Sequence, residues 1–335
     1  MKKYIMAAGA AIMALASCSQ DEVKETNQGR PIDFRLAMDT RAEATETGDI
    51  TSFYVTAFDN SGALYFNTLE YSDSDSDGYF TSDTYYYWPA SGELTFYSFH
   101  PSASDLGGTM TLTADTKTLS GFSPAAAIAD QKDFITAKTN GTYADQGTLI
   151  SFEHRLSQIE VKAKNTNAGY KYKVKGVRLA NIKSEGTYSF EDNSWTPEDD
   201  LTDYTVEYDT PVLLAAEGQS IMGDGGNAML IPQEITPWNG TGAASAIDQT
   251  GSYIAICIQV TTASDIQIYP KTSEYDWVAV PIDADWQPGY HYIFSLDLSS
   301  GAGLDEDTGD EILGKAIAFE LDFVWDWSLS TNVDM

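Results

Sequence analysis

Basic residues are scarce in this chain: 19 Lys and Arg face 50 Asp and Glu over 335 residues, giving a formal net charge of −31. A body so acidic repels phosphate backbones and anionic headgroups, which excludes nucleic acid as a partner and argues against electrostatic adsorption to a membrane. Histidine is rare too. His100, His154 and His291 show no His-x-x-His or His-Glu-x-x-His spacing, so no metal site is expected from them. Gly-x-Ser-x-Gly is missing, and Gly240-Thr241-Gly242 and Gly301-Ala302-Gly303 lack the Lys or the helix of a phosphate-binding loop. Carboxylates are plentiful, yet none is singled out as half of a glycosidase pair. The chain reads as a non-enzyme with no cofactor. Only two cysteines are present, Cys18 and Cys257.

What is present begins with an export signal. Lys2 and Lys3 precede an apolar run from Ile5 to Leu15 that is too short to span a bilayer as a helix. The run ends in Leu15-Ala16-Ser17-Cys18, which resembles the bacterial lipobox. That resemblance implies removal of residues 1–17 and lipid on Cys18 as the new N-terminus. Ser19-Gln20-Asp21-Glu22 resembles the acidic signal that sends some Bacteroidales lipoproteins to the outer face of the outer membrane. With Cys18 lipidated, Cys257 has no disulfide partner in the chain and is expected to be a small buried core residue.

From residue 51 onward, short runs rich in Tyr, Phe, Thr and Val alternate with Gly, Pro, Asp and Asn turns, the pattern of an all-β protein. Thr51 to Phe58, Ala63 to Leu69, Thr84 to Trp88 and Leu94 to Phe99 predict an antiparallel meander. Residues 101–148 are less regular, with short strands at Met110 to Leu112 and Asp133 to Ala137. A clear strand runs from Leu149 to Phe152 and on through Ile159 to Lys164. Asn165 to Gly169 then breaks the pattern and marks a domain boundary. Seven further strands follow, among them Tyr172 to Leu179, Tyr253 to Val260 and Tyr290 to Leu298, at the spacing of a β-sandwich. The final run places Ile317, Phe319, Leu321, Phe323, Trp325 and Trp327 on one face of a single strand.

One further strand precedes the meander. Ile32, Phe34, Leu36 and Met38 alternate with Asp33 and Arg35, giving one apolar face. Directly after it, residues 40–49 form a polar run with no apolar rhythm, open to a trypsin-like protease at Arg41. A strand beside a cut site is a strand that can be removed.

Several stretches together resemble the fimbrillin family of the Bacteroidales, the subunits of type V pili. They are the lipobox at Cys18, Phe34 to Ala42, Phe53 to Phe58, Tyr87-Trp88-Pro89 with Leu94 to Pro101, Phe152-Glu153-His154-Arg155-Leu156-Ser157, Trp286 to Tyr292, and Ala316 to Trp325. The resemblance implies two tandem transthyretin-like, Greek-key β-sandwich domains with few short helices. The expected division is 1–17 signal, 18–41 lipidated pro-segment, 42–165 N-terminal domain and 166–335 C-terminal domain. It also implies that an arginine-specific protease cuts between Arg41 and Ala42, removing the strand of Ile32, Phe34, Leu36 and Met38. A strand from another subunit would then fill the groove by β-strand addition, with Ile317, Phe319, Leu321, Phe323 and Trp325 as the candidate donor strand. The expected place of such a protein is the outer membrane and the cell surface, as a stalk or tip subunit. At about 1.5–3 kcal/mol for each fully buried side chain, loss of the four apolar residues would cost on the order of 10 kcal/mol.

Two other signals compete. Asp73-Ser74-Asp75-Ser76-Asp77-Gly78 matches the opening of a calcium loop, but Thr84 stands at the twelfth position where a bidentate Glu belongs, so a solvated turn is the expectation. Trp195, Trp238, Trp277, Trp286 and Trp325 could line a sugar site, although large aromatics more often pack the core. They motivate the alternative of a monomeric surface lipoprotein that binds glycans or host ligands.

Overall fold

The computed structural model describes residues 26–37, 50–223, 226–314 and 317–326. Cys18, Met38, Arg41 and Ala42 therefore lie outside the described residues. Within them the chain is nearly all β. Its helices are one turn at Ala103–Leu106, capped by Ser102, and a 3-10 turn at Ile128–Asp130.

The first half is built on a five-stranded antiparallel sheet. In spatial order its strands are Glu153–His154, Ile135–Gly141, Leu94–His100, Ser52–Asp59 and Leu64–Ser72. The hairpin between the last two closes on Asp59, whose Oδ1 accepts the N–H groups of Ser61 and Ala63 at 3.0 and 3.1 Å. Such a side chain mimics a backbone turn, and Gly62 supplies the positive φ of 82° that follows. Both faces of the sheet are apolar, because Phe53, Val55 and Ala57 alternate with Tyr54 and Phe58. A sheet of that pattern needs cover on both sides. One face packs on residues 32–36, 80–88 and 150–152. The other packs on a four-stranded sheet of Ser194–Pro197, Gly186–Ser189, Lys117–Phe122 and Thr109–Leu112.

The second half is a sandwich of two sheets. One has Ser157–Lys164 beside Tyr290–Asp297 in parallel, with Ala318–Asp326 antiparallel at the edge. The other runs Leu201–Leu213, Tyr170–Lys183, Tyr253–Thr262, Asp276–Pro281 and Leu304–Asp305. Ile159, Val161, Phe294 and Leu296 from one sheet meet Val174, Leu179, Ile256 and Ile258 from the other in one buried core. A parallel pair cannot be joined by a hairpin. The chain makes Tyr170–Lys183, Leu201–Leu213, Tyr253–Thr262 and Asp276–Pro281 of the facing sheet before it returns, and adds Leu304–Asp305 afterwards.

Three strand-level readings change, and strand pairing spans residue 165. The run from Leu149 to Lys164 is three strands in three sheets: Thr148–Ile150, Glu153–His154 and Ser157–Lys164. Between them the chain turns through a buried polar cluster, with His154 Nδ1 and Asp133 Oδ2 2.6 Å apart and Arg155 Nε donating to Thr136 Oγ1 at 2.6 Å. Pairing also crosses residue 165 in both directions, since Ser157–Lys164 joins Tyr290–Asp297 and Gly186–Ser189 joins Lys117–Phe122. The final strand is not one strict alternation. Leu321 pairs with Phe294 but Phe323 pairs with Ile293, so residue 322 is an extra residue of a β-bulge. Finally, Cys257 is half-buried rather than in the core, because its strand turns Ile254, Ile256, Ile258 and Val260 inward and leaves 257 on the other face. Burial and the nearby Glu207 push its thiol up to about 11, which makes it a poor nucleophile.

Candidate functional site

The feature that stands out is how the segment ahead of residue 38 is seated. Thr26–Pro31 pairs antiparallel with Tyr87–Pro89, and Phe34–Leu36 pairs in parallel with Thr148–Ile150. The backbone from 32 to 37 is bonded on both sides. Ile32 N–H donates to Tyr86 O at 2.8 Å, and Phe34 exchanges bonds of 3.1 and 2.9 Å with Phe80. Across the strand, Thr148 N–H donates to Asp33 O at 3.0 Å and Ala37 N–H to Ile150 O at 2.8 Å. This is the position of an inner strand, although the segment is the start of the described chain.

Side chains follow the same pattern. Ile32 and Phe34 are 3% and 0% exposed and belong to the core of the first half, while Leu36 is half-buried against it. Phe34 sits edge-on to Tyr71 and Phe96, with ring centroids 4.7 and 4.9 Å apart, and 6.0 Å from Phe53. T-shaped contacts of this kind add to the burial of the ring itself. Burial also pushes the Tyr71 phenol well above its usual range.

The outward side chains were missed as site residues. Arg30 Nη2 donates to the carbonyls of Tyr143, at 2.8 Å, and Asp145, and its guanidinium lies 5.4 Å from the Tyr143 ring centroid. Arg35 lies 5.3 Å from the Tyr79 ring centroid. Its Cγ and Cδ cross Gly147 so closely that a Cβ there would come within 2.6 and 2.7 Å. Gly147 also has a φ of +73°, so two separate reasons demand glycine. Asp33 is half-buried, and burial raises its carboxyl above the usual range against the opposing pull of Arg30. The legible signal was Arg35 on the polar face of a strand; its partners, Tyr79 and Gly147, are distant in sequence and were not.

The other predicted positions are scattered. Ile317 is buried in the second core and Leu321 packs against it half-buried, so the candidate donor strand is the paired edge of its own sheet. Phe319, Phe323 and Trp325 are in register with Leu296, Ile293 and His291. Asp73, Asp75 and Asp77 bring one carboxylate oxygen each within 4.8 Å of one another on an exposed turn. There Asp73 accepts from the N–H groups of Asp77 and Gly78, each at 3.1 Å, and Asp77 from that of Tyr79 at 2.8 Å. These bonds shape a turn. Of the tryptophans, Trp195 and Trp286 line a cleft of about 530 Å³ and Trp238 one of about 430 Å³, but Trp238 and Trp286 are buried within the fold. The Arg178 guanidinium lies 4.1 Å from the Trp277 ring centroid.

An all-β sandwich protein with Ile32 and Phe34, ahead of its first long sheet, seated in that sheet's core belongs to a recognisable class. A sequence model of the fimbrillin-like family matches residues 39–312, and the chain belongs to that family. A fimbrial protein from Bacteroides vulgatus is similar in structure, with a TM-score of 0.57 at 14% identity over 89% of this chain and 99% of its own. A candidate cell adhesion protein from Bacteroides ovatus has a TM-score of 0.50 at 14% identity, over 89% of this chain and 98% of its own. At that identity the likeness speaks for the fold alone. No curated protein sequence matches the chain.

Proposed function

We propose that the chain is a structural subunit of a cell-surface pilus, exported as a lipoprotein on Cys18 and assembled by strand exchange. In this reading an arginine-specific protease cuts between Arg41 and Ala42. The strand of Ile32, Phe34 and Leu36 then leaves, and a strand from another subunit takes its place. The observation that carries the reading is the seating of Phe34, fully buried in a segment that is bonded on both sides and ends just before Arg41. A terminal segment is the one part of a chain that can be withdrawn from a core without unthreading the rest.

Energetics favour an exchange over a simple loss. Exposing the sockets of Ile32 and Phe34 costs about 3–6 kcal/mol at about 1.5–3 kcal/mol for each buried side chain. The edges at Phe80, Tyr86 and 148–150 would also be left with unpaired backbone groups, which an extended strand satisfies while refilling the sockets. Because Ala318–Asp326 is already paired with Tyr290–Asp297, the role that fits this chain first is acceptor.

Blocking the cut tests the reading. The Arg41→Ala chain should stay monomeric with its strand in place, while cleaved chain mixed with partner subunits should form ladders resistant to mild denaturant. Cleaved protein that remains monomeric at high concentration with those subunits present would sink the proposal.

A further inference from the structure

The apolar sockets of Ile32 and Phe34 accept many strands, so selectivity has to come from the rim. Resting on the strand-exchange reading above, we infer that the groove selects an incoming strand bearing Lys or Arg on its outward face. Its occupant is then a different polypeptide rather than residues 317–335 of a second copy. The rim fits a long, unbranched cation. The carbonyls of Tyr143 and Asp145 both accept from the Arg30 guanidinium, so the oxygens there point at positive charge. The rings of Tyr143 and Tyr79 lie within 5.4 and 5.3 Å of the two guanidinium carbons, the range in which a ring face attracts a cation. Beside Tyr79, the bare backbone of Gly147 forms a shelf for the aliphatic stem of Arg35. Straight-chain Lys or Arg can lie along such a shelf; a β-branched residue cannot.

Withdrawal of the strand takes both cations from an acidic body with a net charge of −31. Residues 317–335 cannot restore them. That stretch contains no Lys or Arg and carries Glu320, Asp322, Asp326 and Asp334. Inserted here, it would set carboxylates against backbone carbonyls and the electron-rich faces of Tyr79 and Tyr143, the reverse of the present pairing.

The test uses the full chain, with a protease site placed within residues 42–49, nicked and then mixed with labelled peptides. Fluorescence anisotropy and native mass spectrometry follow replacement of the resident segment. The peptide of residues 26–37 should exchange in, and its R30K/R35K form should bind within about threefold of it. The R30E/R35E form should bind about tenfold or more weakly, as expected from losing two cation–ring contacts and the bonds to carbonyls. The peptide of residues 317–335 should not compete. Binding of the charge-reversed peptide, or of residues 317–335, within about threefold of the native segment overturns the inference and leaves strand exchange standing. If the native peptide itself never replaces the resident segment, strand exchange fails and this inference falls with it.

Discussion

Phe34 is the residue on which the first core closes. Its ring touches three strands of the sheet, through Phe53, Tyr71 and Phe96. A Phe34→Ala chain leaves a void among rings that are held by the sheet and cannot collapse into it. The expected loss is about 3–5 kcal/mol, the usual cost of deleting a buried aromatic. Leu36→Ala should cost much less, because Leu36 is only half-buried. Urea unfolding of both variants checks the order, and an equal loss at the two positions would show that Phe34 is not the anchor.

At the scale of the strand, the hold on residues 26–37 depends on Asp33. Burial disfavours its charged form more than Arg30 favours it, and Asp77 adds repulsion, so its carboxyl titrates above the usual 3.8 in the folded chain. A raised acid works against the fold when ionised. Its contribution is therefore least favourable at neutral pH, improves as pH falls through the raised folded value, and is complete below the unfolded value near 3.8. After a nick within 42–49, the segment should leave more slowly near pH 3.8 than at pH 7.5, and Asp33→Asn should flatten that difference. Gel filtration of the nicked chain at the two pH values decides it; the same slope in the Asn variant would remove Asp33 from the account. Strand-level reading of the sequence succeeded where one face is apolar and the partner is near: Ile32, Phe34 and Leu36, the hairpin at Asp59, and Tyr253 to Val260 were all legible by alternation. It failed where the partner is distant. Nothing local announces that Lys117–Phe122 pairs with Gly186–Ser189, or that Phe34–Leu36 pairs in parallel with Thr148–Ile150. The extra residue at 322 was hidden for another reason. A bulge is set by the register of Tyr290–Asp297, and the apolar spacing of Leu321, Phe323 and Trp325 looks unbroken without it. Arg30, Arg35 and Gly147 were invisible as a group, since only the fold brings 30–35 beside 143–147.

For the whole molecule, the two-part division drawn at residue 165 meets pairing that ignores it. Ser157–Lys164, in the first part by sequence, has Tyr290–Asp297 as its long partner, and Lys117–Phe122 has Gly186–Ser189. The core of Phe99, Leu119, Phe122 and Phe134 is finished by Tyr188 and Phe190 from beyond the boundary. Edges left without these partners would expose both unpaired backbone groups and an apolar face. A chain ending at residue 165 should therefore fail to give a cooperative thermal transition and should aggregate, while the full chain should unfold in a single calorimetric step. Two separated transitions in the full chain, or a soluble and cooperatively folded 1–165 fragment, would show instead that each half is self-sufficient. Under the strand-exchange proposal the distinction matters for assembly, because a subunit that unfolds as one body would pass the strain of an empty groove at Phe34 to both halves. A subunit of two independent halves would confine that strain to the first.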